Sequence, residues 1–535
     1  MRPSHAATRR RTVRLAVSLL AAALANPQAL AAQNTAARST AKPAASQSLP
    51  AALNRIREAD IKRELYALAG DAMRGREAGT PDELRASAWI VDRLREIGVT
   101  PMGQDGTYYQ WFNMTRTRVS TVSSFARLNN DTLAVWRDFI PLGNRGLDVS
   151  GPVLWLDNAN DSTVNVQGRV VAVPVITPNR ASIRTTVNSE DVRYANAALS
   201  ATQQRFARRG ALALILVADS ITNAAFDGLA SLRLRGTYDV NDAAPRFAGQ
   251  PRYLAPLPPV LNVTTPVNGT PPAFLVRSSR APLLRNAPQG SIQVRLEQFE
   301  TPSVNIVGVI GGTDPVLRNE YVLYSAHQDH DGVRYVMDGD SVWAGADDNA
   351  TGSVALLASA RAFMAQKPKR SVLFVYHGAE ERGLLGSRYH AQHPVVPLKD
   401  IVAVLNGEMM GRNSPDSASL LGVQPPHRNS TDLVEHALRA NALTGRFALD
   451  SLWDRPTHPE GWYFRSDHVP YARLDVPSVM YTSNLHPDYH TPRDKPERID
   501  YGKLTRMTRW MYLTGWFVAN APSRPRIDPG FRLER

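Results

Sequence analysis

Four short apolar runs, each stopping at a histidine or a carboxylate, constrain this chain more than any other feature of it. "YVLYSAHQDH" (321–330) stops at His327, with Asp329 two residues on; "SVLFVYHGAEE" (371–381) ends at Glu380 and Glu381. "IVAVLNGE" (401–408) ends at Glu408, and "VPSVMYT" (476–482) leads into "SNLHPDYHTPRD", which holds His490. Runs this short and this continuously apolar read as strands covered on both faces. Strands alternating with helical patterns imply an α/β fold with a parallel sheet. Such sheets carry their sites just beyond the carboxyl ends of the strands, where these four sets of polar residues fall.

Between the first two runs lies "GADDNATG" (345–352), which sets Asp347 and Asp348 side by side ahead of an apolar helical pattern. Burying two like charges is costly unless a cation or a donor offsets them, whereas a solvated turn uses the same residue types at no cost. Taken together with the strand ends, the segment belongs to a cation site. Two histidines and three acids drawn from these segments would form a nitrogen and oxygen donor set suited to zinc or a similar divalent ion. One carboxylate of the set can bridge two ions. The chain has no cysteine, so neither a thiolate ligand nor a disulfide is available. Eleven of its twelve histidines fall between His327 and His490, which localises the chemistry.

The rest of the chain is organised around that region. Residues 1–31 read as an export signal, with Arg9, Arg10, Arg11 and Arg14 ahead of "LAVSLLAAALA" and a terminal "ALA". The apolar run is shorter than the ~20 residues a bilayer span needs, so no membrane anchor is expected after cleavage. Export would place the protein in the periplasm or outside the cell. Residues 32–50 are small, polar and proline-containing, as in a flexible linker. Helical patterns around 56–68 and 83–97 open a first part of the main domain, 51–134. Residues 135–290 differ in texture, with β-branched runs such as "GRVVAVPV" and "ALALILVAD" among Pro/Asn/Arg-rich loops, and read as a separate strand-rich module. Residues 291–520 return to strand and helix units, and 521–535 form a C-terminal tail. The formal charge of +13 is spread along the chain with no basic run interleaved with aromatics, and it reads as a solvated surface, not a nucleic-acid footprint.

The motifs "AHQDH", "GADDNATG", "GAEERGLLGSRYH", "NGEMMGR" and "SDHVPY…HPDYHTPRD" resemble, in order and spacing, the M28 family of dinuclear zinc exopeptidases. The resemblance extends to "LAGDAMRGREAGTP" and "YYQWF", and the module resembles the protease-associated domain inserted in that family. It implies the zinc exopeptidase fold, a mixed, mostly parallel sheet with helices on both faces, plus the inserted β-rich domain. It also implies two zinc ions: one held by His327, Asp347 and Glu408, the other by Asp347, Glu381 and His490, with Asp347 bridging. Glu408 departs from the family's usual Asp by one methylene. Glu380 matches the general base, and a cis peptide is implied between Asp347 and Asp348.

Residue chemistry adds further roles. Asp329 is the expected acceptor that fixes the His327 tautomer, Asp348 is expected to be structural, and Tyr489 either polarises the substrate carbonyl or packs under the metals. The remaining histidines are read as non-ligands: His377, His390 and His393 as packing or hydrogen-bonding groups, His468 as a pocket residue. The implied activity is an aminopeptidase acting on peptides. A carboxypeptidase or glutaminyl cyclase of the same fold, and a non-catalytic receptor homologue, are the alternatives; a receptor would be expected to have lost ligands. A Gly-x-Ser-x-Gly elbow is missing, since Gly339 to Trp343 lacks the closing glycine, and there is neither a Walker loop nor a His-Glu-x-x-His helix.

Overall fold

A computed structural model describes residues 49–179, 190–240 and 257–534. The signal, and all of the linker but its last two residues, lie outside the described residues. Among the described residues no helix is long and apolar enough to cross a membrane.

The main sheet is built from β1 (Tyr109–Val119), β2 (Thr237–Val240), β3 (Leu296–Ile310), β4 (Tyr321–His327), β5 (Ser371–His377), β6 (Ile401–Glu408), β7 (Ser417–Leu421), β8 (Ala448–Leu449) and β9 (Ser478–Thr482). Their spatial order is β8-β7-β9-β6-β4-β5-β3-β1-β2, and the short strand Thr100–Pro101 also pairs with β3. The central four, β5, β4, β6 and β9, run parallel, while β3 and β1 pair antiparallel at one side and β7 antiparallel at the other. The sheet is therefore mixed with a parallel centre: the strand and helix alternation implied the parallel part, and the family resemblance the mixed one.

Burial on both faces explains the unbroken apolar runs. Along β4, Val322, Tyr324 and Ala326 enter a core shared with helices Glu58–Leu68, Pro81–Ile97, Gly352–Ala365 and Tyr501–Asn520. Leu323 points to the other side, into a smaller core with Ala391, Val396 and Tyr471. A one-residue slip would exchange the two faces, so the cores on both sides pin the register. That register sets His327 opposite His377 and brings Asn406 beside Ser325. Helix Pro81–Ile97 begins with Thr80, whose hydroxyl accepts the Asp82 amide, and ends at Gly98 in a left-handed conformation (φ 86°). Both caps follow the residue preferences of helix ends.

β1 and β3 pair over eleven residues and continue towards a second, nine-stranded sheet that spans Phe125 to Val294. It carries its own pair of cores: Val171, Val173, Leu214 and Leu216 face one, and Val170, Ala172, Ala213 and Ile215 the other. Between strands of this second sheet the chain visits the main sheet as edge strand β2, and Arg235, just ahead of β2, donates to the Asp331 carboxylate at 2.6 Å and to its carbonyl at 2.7 Å. The described residues from Pro50 onward form one compact unit.

Candidate metal centre

The carboxyl ends of β4, β5 and β6 deliver His327, the Glu380/Glu381 turn and Glu408 to one place. The loop after β9 adds His490 from the side. His327 Nδ1 donates to the main-chain carbonyl of Asp329 (3.1 Å), which leaves Nε2 free as a donor atom for a cation. Nε2 lies 3.2 Å from Asp348 Oδ1, 3.4 Å from Glu408 Oε2 and 3.9 Å from Glu380 Oε2. The other Asp348 oxygen lies 3.0 Å from His490 Nε2, which is itself 3.2 Å from Glu381 Oε1. Asp348 thus reaches both halves of the cluster, with one oxygen for each.

The order of the two aspartates corrects the sequence reading. Asp347 turns away from the cluster: its Oδ1 accepts the Gly411 amide (2.7 Å) and the Thr351 hydroxyl (3.2 Å), and Oδ2 lies 3.4 Å from His486 Nε2. The bridging place belongs to Asp348, which the sequence reading held to be structural. The cis peptide likewise falls one residue later, between Asp348 and Asn349. The segment is an irregular turn whose residues point by backbone dihedrals, with Asp348 at φ −101°, ψ 94° and Asn349 at φ −130°, ψ 44°, so sequence adjacency cannot tell which carboxylate faces inward. Asp494 fixes the choice by accepting the amides of Asp347 (3.0 Å) and Asp348 (3.0 Å). Gly345 (φ 57°) starts the turn where a Cβ would strike the His330 ring and the Asp348 carbonyl. At the other end, a Cβ on Gly352 would come within 2.5 Å of the Gly407 carbonyl on β6.

Asp329 acts differently from expectation as well. Its carbonyl, not its carboxylate, receives His327 Nδ1, while the carboxylate accepts the amides of Glu380 (3.0 Å) and Glu381 (3.3 Å) and so shapes the turn that presents them. Glu408 Oε2 accepts from Ser466 (2.6 Å); Ser466 Oγ in turn receives Asn406, whose amide oxygen accepts from Ser325. Tyr489 stacks on His490 with ring centroids 3.9 Å apart, and its hydroxyl accepts from Arg465 (2.9 Å), which is also paired with Glu460. His377 and His390 both neighbour the Tyr471 hydroxyl, while His468 is fully buried against Tyr463, and none of these three joins the cluster.

Four residues that the sequence reading passed over matter to this geometry. His330 is fully buried with Nδ1 2.8 Å from Glu381 Oε1. Arg76, also fully buried, donates to the carbonyls of Gln328 (2.8 Å), Leu68 (3.0 Å), Ala344 (2.7 Å) and Gly345 (2.9 Å), tying together the loops that carry His330 and Asp348. Asp494 and Ser466 complete the set. His330 sits three residues after His327 at a strand end, a signal within reach of the sequence; the other three act through main-chain or single hydroxyl contacts that leave no pattern.

The electrostatics divide the carboxylates. Burial opposes the charge of Asp348, yet the neighbouring imidazoles of His327, His490 and His330 hold it well below the usual carboxylate range. Burial likewise opposes Glu381, and His490 and His330 together outweigh it, bringing Glu381 down to about 2. Glu380 goes the other way: burial pushes it well above its ordinary value, and the neighbouring Glu381 and Glu408 charges add to that. Asp467, behind the cluster, is raised to about 7 by burial. His490 is raised to about 10, because Glu381 and Asp331 outweigh the burial that disfavours its charge. The cluster is thus an anionic pit that demands positive charge. His330, His490 and Glu381 also carry buried donor atoms with no hydrogen-bond partner, as expected of metal-ligand atoms. Among the described residues two groups have ligand atoms mutually within 4.8 Å: His330, Asp348, Glu381 and His490, and His327, Glu380 and Glu408. Nitrogen and oxygen donors alone, at these spacings, suit zinc.

A mixed α/β sheet that sets two adjoining His/carboxylate groups at the ends of its parallel strands defines a candidate dinuclear metal centre. Residues 305–514, which hold nearly all of it, match the model of peptidase family M28. Over 233 residues the chain is 28% identical to the uncharacterized protein YfbL of Escherichia coli, covering 38% of this chain and 68% of that one. Over 167 residues it is 32% identical to aminopeptidase YwaD of Bacillus subtilis, covering 30% and 34%. The chain spans about half the length of the curated relatives it matches. Among solved structures, a zinc aminopeptidase from Bacillus subtilis superposes with a TM-score of 0.50 at 17% identity, over 87% of this chain and 96% of that one, a likeness of fold.

Proposed function

We propose that this chain is an exported, metal-dependent exopeptidase that removes N-terminal residues from peptides, using two zinc ions and Glu380 as general base. The observation that carries the reading is the position of Asp348, whose two oxygens reach the His327 side and the His490 side at 3.2 and 3.0 Å. His327, Asp348 and Glu408 would hold one ion, and Asp348, Glu381 and His490 the other. When bound, the ions supply positive charge that polarises the scissile carbonyl and lowers the pKa of the attacking water.

The chain's own groups do the rest. Glu380, presented by the Asp329-held turn, takes the proton from water and passes it to the leaving amine; a buried carboxylate pushed up in pKa suits that exchange. Tyr489, steadied by Arg465, can donate its hydroxyl proton to the oxygen on which charge develops. Burial of the cluster excludes bulk water and strengthens these interactions. Export rests on the basic and apolar character of residues 1–31.

The test is a parallel assay of metal-loaded protein on aminoacyl, carboxy-terminal and N-terminal glutaminyl substrates, with a chelator control. Turnover of the aminoacyl substrate, abolished by chelation, is expected. Glu380→Gln should lower kcat by about 10²–10⁴-fold while metal uptake persists; an unchanged rate rejects its role.

A further inference from the structure

Beyond a shared bridging carboxylate, the two halves of the centre are unequal. One half contains His330, which the two-ion reading does not use. Its ring is completely buried, Nδ1 lies 2.8 Å from Glu381 Oε1 and 3.8 Å from Asp348 Oδ2, and it meets His490 edge-on with ring centroids 5.3 Å apart. Despite the 2.8 Å separation, neither His330 Nδ1 nor Glu381 Oε1 makes an aligned hydrogen bond, and His330 Nε2 has no partner either. Two heteroatoms this close, buried and misaligned for a hydrogen bond, are placed as ligands of a common cation are. Donors around a tetrahedral zinc with ~2.0–2.1 Å bonds stand roughly 3.3 Å from one another. The four nitrogen-to-oxygen separations among His330, Asp348, Glu381 and His490, from 2.8 to 3.8 Å, bracket that value.

The ring is held there on purpose-built ground. The His330 amide donates to the Arg76 carbonyl (3.2 Å), and the ring occupies the space that Gly345 leaves by lacking a Cβ. On the other half, His327, Glu408 and Asp348 Oδ1 supply three donors, and Glu380 Oε2 stands 3.9 Å from His327 Nε2.

We propose that His330 is a fourth protein ligand of the ion held by Asp348, Glu381 and His490, which makes that position closed and tightly filled and leaves the His327 position as the open one. This rests on the two-ion reading above. Closed four-ligand sites are the structural kind, whereas three-ligand sites keep a place for water or substrate. The open position is the one beside Glu380, so the base and the exchangeable coordination place coincide. An added ligand is worth at least the ~10–100-fold in affinity that an outer partner of a metal ligand supplies. The two dissociation constants should therefore differ by that much or more.

Metal-free, full-length protein would be titrated with cobalt(II), following stoichiometry by calorimetry and the paramagnetically shifted imidazole N–H protons by NMR. In the wild type the first equivalent should shift two histidine N–H signals, those of His330 and His490, and the second equivalent a third, from His327. In His330→Ala the first-equivalent pair should fall to one signal and the tight step should weaken by at least tenfold. His327→Ala should lose the second step yet keep the two-signal first step, which guards against a His330 variant that fails to fold. Two bound ions with one imidazole each, unchanged in His330→Ala, would overturn the four-ligand assignment while sparing the two-ion reading. Absence of any binding would overturn both.

Discussion

Arg76 offers the severest check on how the centre is assembled. Its guanidinium is sealed from solvent and donates four hydrogen bonds to carbonyls on three separate segments, two of them the loops after β4 and before Asp347. Arg76→Met preserves most of the buried hydrocarbon and removes every donor. Hydrogen bonds from a charged group contribute about 1.5–3 kcal/mol each, and their loss strands buried carbonyls. Against that, the guanidinium suffers from its own burial, which lowers its pKa from 12.5 to about 10, and roughly 3 kcal/mol of that penalty is recovered on substitution. The difference leaves a destabilisation of several kcal/mol, and since single substitutions seldom exceed ~4–5 kcal/mol, about 3–5 kcal/mol is expected. Urea unfolding, followed by tryptophan fluorescence on metal-free protein, measures it, with zinc affinity as a local readout that should fall together with stability. A loss below about 1 kcal/mol with unchanged metal binding would refute the role of Arg76 as the tie between the ligand loops. Arg76→Lys should recover only part of the loss, because an ammonium cannot span the four acceptors.

Two further outcomes follow from the geometry. Asp348→Asn should reduce bound zinc from two ions to one or none, measured by elemental analysis after dialysis, whereas Asp347→Asn should retain both ions, because its carboxylate faces Gly411, Thr351 and His486; equal losses in the two variants would sink the assignment of the bridge. His427 pairs with Asp454 (2.9 Å) and with Glu534 of the C-terminal tail (2.8 Å), and these acids raise its pKa above 6.5 in spite of burial. A group whose folded value is raised contributes stability fully below its unfolded value, so docking of residues 528–534 should be firmest below about pH 6.5 and weaken as pH rises through the raised value. Hydrogen exchange of the tail amides between pH 6 and 9 should show that loosening, and His427→Gln should flatten it.

The sequence by itself settled the fold class and the neighbourhood of the site. Continuous apolar runs require strands covered on both sides, and a polar residue ending each run can only emerge at a strand's carboxyl end; His327, Glu381, Glu408 and His490 are brought together where that logic puts them. The helical patterns around 56–68 and 83–97 were equally legible, falling on helices Glu58–Leu68 and Pro81–Ile97. The tertiary structure alone decided which of two adjacent aspartates faces the His/carboxylate cluster, because their directions depend on irregular backbone dihedrals, on Gly345 at positive φ and on an amide clamp from Asp494, 146 residues away. It also decided the part played by His330 and Arg76. A buried histidine and a buried arginine look like any others in a sequence, and what they do is set by the carbonyls and carboxylates that distant segments bring within 3 Å.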